Sequence, residues 1–132
     1  MSPQVTICMP AYNSEGYIKN SIETVYAQRF KDYELIIVND GSTDNTGPEA
    51  AELIEKYHLN GYVLTIDNSG PEAARDYGFS HAKGQVFATL DSDDLWDEDY
   101  LHETVGVLKR YNEVGICFSD FNIFYQKSTK KC

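Results

Sequence analysis

The sequence predicts an α/β fold with a largely parallel, doubly wound sheet flanked by helices. Short apolar, β-branched runs alternate with amphipathic stretches of helical period, joined by short connections. At 132 residues the chain is about one domain long. With 42% hydrophobic and 24% charged residues it has ordinary material for a buried core.

Val5-Thr6-Ile7-Cys8-Met9 is a first strand, closed by Pro10. Ile18, Ile22 and Val25 fall at i, i+4 and i+7, one face of a helix from Glu15 to Gln28. Leu35-Ile36-Ile37-Val38 is continuously apolar, as a strand covered on both faces must be. Thr43 to Tyr57 is a second helix with Ala50, Ile54 and Tyr57 inward, and Pro48 is tolerated because it stands near the start. Tyr62 to Ile66 is a third strand, and Pro71 opens a helix through Ala74, Tyr77, Gly78 and His81. Gln85 to Leu90 is a fourth strand, Leu101, Val105 and Leu108 mark another helical face, and Val114 to Phe124 is a fifth strand. Residues 1–125 form one domain; the basic tail 126–132 has no apolar pattern and is expected to fray.

Lys and Arg number 11 against 21 Asp and Glu, a net charge of −10. That balance argues against nucleic acid and anionic membrane surfaces as partners, since both are held by clustered cations. No apolar run approaches the roughly 20 residues of a membrane-spanning helix, and the N-terminus lacks a secretory signal pattern. Cys8, Cys117 and Cys132 have no metal-ligand spacing; Cys8 and Cys117 sit in apolar runs as reduced core thiols, so a cytoplasmic protein is expected. His58, His81 and His102 also lack partners at metal spacing and fit surface or helix-end positions.

Ligands of open α/β sheets bind beyond the carboxyl ends of the strands. At that edge lie Pro10-Ala11-Tyr12-Asn13, Asn39-Asp40-Gly41-Ser42-Thr43-Asp44, Asp67-Asn68-Ser69-Gly70 and Asp91-Ser92-Asp93-Asp94. The opposite edge holds Arg29, Lys31, Asp32, His58, Asn60, Lys83, Lys109 and Arg110, so acids gather on the ligand side and bases on the other. Three carboxylates in four positions raise one another's pKa or demand a cation, and an oxygen-rich site with few carboxylates suits Mg²⁺ or Mn²⁺. The plainer alternative is that one Asp caps the next helix and the others are solvated. Asp40-Gly41 makes a turn and Ser42 or Thr43 caps the second helix, whereas Asp40 itself can accept hydrogen bonds from a base or ribose. Tyr12 can stack on a planar ring. Arg75 either holds a phosphate or neutralises neighbouring acids.

These four segments, in order and at this spacing, closely resemble family 2 glycosyltransferases, and Ala74-Arg75-Asp76-Tyr77-Gly78 with Ala82-Lys83-Gly84 matches a further stretch of that family. The resemblance runs from Val5 to Phe124 and implies a GT-A-type, Rossmann-like fold binding a nucleotide-diphosphate sugar. It implies that Pro10, Ala11, Tyr12, Asn13 and Asp40 hold the nucleobase, commonly uracil, and that Asn68, Arg75 and Ser92 belong to the same nucleotide site. Asp91 and Asp93 match the family's DxD motif: Asp91 lies against ribose and sugar, and Asp93 ligates Mn²⁺ or Mg²⁺ on the diphosphate, with Asp91 in the same metal set. Asp94 orients or caps. Asn39 stands where the family often has Asp, and Asp76 where it often has Asn. The resemblance further implies an inverting, metal-dependent transfer from a UDP-sugar to an acceptor hydroxyl of a carbohydrate or lipid-linked chain. The acceptor half and its general base are expected to lie outside this chain, leaving apolar surface that fits a homodimer. The competing readings are a nucleotide-binding or dimerising module without turnover and, remotely, a haloacid-dehalogenase-like phosphatase.

Overall fold

The computed structural model describes residues 1–123. Its elements are β1 (Val5–Ala11), α1 (Ile18–Tyr26), β2 (Tyr33–Asp40), α2 (Thr46–Lys56), β3 (Gly61–Ile66), α3 (Pro71–Ser80), β4 (Val86–Thr89) and α4 (Tyr100–Arg110). The four strands form one sheet in the order β3-β2-β1-β4, and every neighbouring pair is parallel. The chain starts at β1, steps outward to β3, then returns to lay β4 on the other side of β1. The crevice between β1 and β4 is therefore the switch point of the sheet.

β1 and β2 are buried along their whole length, which is why their sequences do not alternate. Side-chain alternation instead divides two apolar layers. Val5, Ile7 and Met9 of β1 join Leu35 and Ile37 of β2 under α1, α2 and α4, which contribute Ile18, Ile22, Val25, Ala50, Leu53, Leu101 and Val105. Cys8, Ile36 and Val38 face the other way and pack against Ala74 of α3. This second layer is thin, and Gly78 lets α3 sit directly on it. A Cβ at Gly78 would overlap Cys8 Sγ and lie 3.0 Å from Val38 Cγ2.

At the amino edge of the sheet, Thr6 Oγ1 donates to the buried Glu34 carboxylate (2.6 Å), which also accepts the Lys83 amide (2.7 Å). The Gly84 amide in turn donates to Thr6 Oγ1 at 2.9 Å. These bonds clamp the start of β4 against β1 and β2.

Pro10 does not close β1; the strand runs through it to Ala11. The Cys8 carbonyl accepts from Leu90 on the β4 side, so Pro10, two residues on, turns its missing N–H toward β4 where that strand has already ended at Thr89. The expected fifth strand is absent over residues 114–123. Ile116, Phe118, Phe121 and Ile123 are exposed, and Cys117 is half-buried instead of being a core thiol like Cys8. Alternating apolar residues meet the sequence criterion, but a strand also needs a partner for its main-chain groups, and this segment has none among the described residues. Phe124, Cys132 and the tail 126–132 lie outside the described residues. His58, His81 and His102 are exposed.

Candidate active site

Loops after all four strands converge on one cavity of 770 Å³ at the carboxyl edge. That volume lies within the range of small-molecule sites. From β1 come Pro10, Ala11, Tyr12 and Asn13; from β2, Asp40; from the β3 loop and α3, Asn68 and Arg75; and after β4, Asp91, Ser92 and Asp93. The cavity is also lined by Ser14, Tyr17, Gly70 and Pro71.

Asn13 turns the chain out of β1 with φ 47°, a left-handed conformation that asparagine tolerates. Its side-chain oxygen accepts the Thr43 amide at 2.8 Å, and its own amide donates to Ser42 Oγ at 3.0 Å. Ser42 and Thr43 thus tie the β2 loop to the β1 loop and do not cap the second helix. That helix starts at Thr46, where the Asp44 carboxylate accepts both the amide and the hydroxyl of Thr46. The hydrogen bond from the Thr46 hydroxyl holds the Asp44 carboxyl below its ordinary pKa.

Asp40 ends β2 almost fully buried. Its two oxygens accept the amides of Ser69 (2.7 Å) and Gly70 (3.0 Å), and Asn68 Nδ2 donates to its carbonyl at 3.1 Å. The turn after it requires glycine: Gly41 has φ 69°, and a Cβ there would stand 2.7 Å from the Asn68 amide nitrogen. The β3 loop is therefore molded onto Asp40 by the main chain itself.

Arg75 reaches from α3 to Asp91, Nη2 to Oδ1 at 2.7 Å. Of the two roles left open for Arg75 by the sequence, this geometry displays neutralisation of a neighbouring acid. Arg75 Nε is buried with no hydrogen-bond partner among the described residues. Asp91 to Asp94 form a turn in which the Asp94 amide donates to the Asp91 carbonyl at 3.0 Å. None of these acids caps α4, which starts at Tyr100 behind Asp99. Burial, then the charges of Asp93 and Asp91, push the Asp94 carboxyl up. Ser92 is buried, its hydroxyl 2.5 Å from that of Ser14.

Asp93 is exposed to the cavity and forms no ion pair among the described residues. No group of three or more His, Cys, Asp or Glu side chains converges there on a common point. The oxygen donors present fit a hard divalent cation held by one or two carboxylates and completed by phosphate and water; they do not fit an all-protein cage. Ser14 and Tyr17 were not distinguished by sequence. Ser14 follows a motif dominated by its neighbours, and Tyr17 is one of ten tyrosines.

The family model described as glycosyl transferase family 2 matches residues 6–131. The chain belongs to that family. A glycosyltransferase of Rickettsia typhi is 32% identical over 132 residues, covering 96% of this chain and 39% of the relative. Glycosyltransferase GlyA of Streptococcus pneumoniae is 35% identical over 98 residues, covering 74% of this chain and 14% of its own. Among solved structures, S. aureus TarS 1-349 in complex with UDP-GlcNAc superposes with a TM-score of 0.76 at 28% identity, covering 83% of this chain and 32% of that one. The mannosyltransferase PcManGT from Pyrobaculum calidifontis, in complex with GDP-Man and Mn²⁺, has a TM-score of 0.76 at 26% identity, with coverage of 82% and 33%. The family 2 chain described here thus spans well under half the length of these relatives, and its parallel sheet flanked by helices is the fold of its GT-A neighbours. The family match leaves the phosphatase reading without support. No helix among the described residues is long and apolar enough to cross a membrane.

Proposed function

We propose that this family 2 domain binds the donor, a UDP-sugar, for an inverting, metal-dependent transfer of its sugar to an acceptor hydroxyl on a carbohydrate or lipid-linked chain. One observation carries the reading: a single cavity brings the Tyr12 ring, Asp40 and Asn68 together with the turn that bears Asp91 and Asp93. A nucleotide-diphosphate sugar offers matching groups, a planar base for Tyr12 and Asp40 and a pyrophosphate that a divalent cation would join to the acids. The nucleotide sugars in the TarS and PcManGT complexes, and the Mn²⁺ in the latter, support this choice.

In this reading Tyr12, exposed at the rim beside Pro10, Ala11 and Asn13, offers its ring face to the base. Asp40 keeps acceptor capacity beyond its two amide bonds, because each carboxylate oxygen has two lone pairs. Arg75 Nη2 holds Asp91 in place at the wall of the cavity. Asp93, with the oxygen of Asp91 not used by Arg75, would hold Mn²⁺ or Mg²⁺, which would neutralise the departing diphosphate. Without a cation the three acids of this loop would repel that diphosphate. We assign the general base and the acceptor site to a region outside residues 1–125.

Calorimetric titration with UDP tests the site. UDP is expected to bind about tenfold or more tightly in Mn²⁺ than in EDTA, roughly 1.4 kcal/mol or more. Asp93→Ala should abolish that difference. Equal affinity in the two conditions for the unmutated chain would overturn the proposal. Release of sugar from a donor panel then separates a transferase from a nucleotide-binding or dimerising module.

A further inference from the structure

The acidic loop between β4 and α4 has no strand or helix of its own from Leu90 to Asp99, and it carries six carboxylates over residues 91–99. Such a segment has strong electrostatic reasons to splay. What fixes it is a polar stripe on α1. Ser21, Thr24 and Gln28 lie at i, i+3 and i+7, on or just beyond the helix and beside its apolar stripe of Ile18, Ile22 and Val25. Ser21 and Gln28 are completely buried.

Each of the three grips the main chain of the loop. Ser21 Oγ lies 2.9 Å from the Ser92 carbonyl and 2.7 Å from the Asp94 carbonyl, sharing its proton between the two groups that flank Asp93. Thr24 Oγ1 accepts the Trp96 amide at 3.3 Å. Gln28 Nε2 donates to the Asp97 carbonyl at 2.6 Å and to the Thr24 carbonyl at 3.1 Å, while its Oε1 accepts the Leu101 amide at 3.0 Å. The partners therefore run in register from Ser92 to the first turn of α4. None of the three side chains lines the cavity. Buried hydroxyl and amide groups are costly unless bonded, and apolar residues would fill these positions more simply. Their bonds go to the loop that bears Asp93.

We propose that Ser21, Thr24 and Gln28 are positioning residues of the donor site, setting the direction of the Asp93 carboxylate from a helix that never touches the ligand. The inference rests on the reading of Asp93 as the metal contact. It predicts that metal-assisted nucleotide binding depends on this stripe while metal-free nucleotide binding does not, because Asp40 is held by the Ser69 and Gly70 amides and makes no bond to the stripe.

The test uses the whole chain and two readouts. UDP is titrated by calorimetry in Mn²⁺ and in EDTA, and acrylamide quenching is measured for Trp96, the single tryptophan, which sits in the loop and stacks on Tyr100. Ser21→Ala and Thr24→Val are expected to lower affinity in Mn²⁺ about five- to tenfold, the cost of a lost buried hydrogen bond. Affinity in EDTA should stay within about twofold on the same scale, and Trp96 should become more accessible to quencher. Thr24→Ser keeps the hydroxyl and should restore both readouts. Equal losses in Mn²⁺ and EDTA would mean general destabilisation and overturn the inference, as would looser Trp96 with unchanged Mn²⁺ affinity. An unmutated chain showing no Mn²⁺ effect would instead overturn the reading of the donor site itself.

Discussion

Asp40 and Asp44 are four residues apart and do different work, which composition could not reveal. Asp40 is buried and organises the β3 loop through two amides, whereas Asp44 orders the start of α2 from a more exposed position. Because the Asp44 carboxyl is depressed below 3.8, its bonds stabilise the fold above that pH and are lost as the pH falls through its lowered value. Asp44→Ala should therefore lower the melting temperature at pH 7. The gap from the unmutated chain should close on acidification below the usual carboxylate range, as a pH series of thermal melts would show. The carboxyl-edge rule and the acidic motif lead from sequence to the residues lining the cavity, because those depend on strand order alone. Hydrogen bonds such as Ser21 to Ser92, 71 positions apart, are invisible to any local pattern.

Among the elements, α3 is the most tightly constrained, since its contact with the sheet runs through a small residue. Gly78→Ala gains helix propensity of up to about 1 kcal/mol, but the new methyl meets Cys8 and Val38. Overpacking of this kind costs about 1–3 kcal/mol. A net loss of stability is expected in urea titrations, and Cys8→Ala in the same chain should recover part of it by vacating the space. Helical stripes and apolar runs predict all four helices and the four paired strands, with ends displaced by a few residues. α2 begins three positions later than its apolar period suggests because Asp44, not Ser42 or Thr43, satisfies its first amide. The failed fifth strand has the opposite lesson. Helices satisfy their own main chain, so periodicity suffices to find them; a strand is a property of two segments, and residues 114–123 supply only one.

Across the whole molecule the net charge of −10 favours solubility, but exposed aromatic and aliphatic groups oppose it. Phe87 is 59% exposed, Phe118 85% and Phe121 83%. The chain is expected to bind a hydrophobic dye and to self-associate with rising concentration in sedimentation runs. Phe118→Ser with Phe121→Ser should reduce both effects; an unchanged sedimentation profile would place the contact elsewhere. The position of β1 has a further bearing on how the protein is made. Of the four strands described, the one made earliest belongs inside the sheet, and one of its flanks is closed only by β4, after two more strands and three helices have been synthesised. At bacterial or eukaryotic translation speeds, about 5–20 residues per second, that flank stays open for several seconds. During this interval the nascent chain offers a bare, apolar, hydrogen-bonding edge to any other chain nearby, until β4 arrives to cover it.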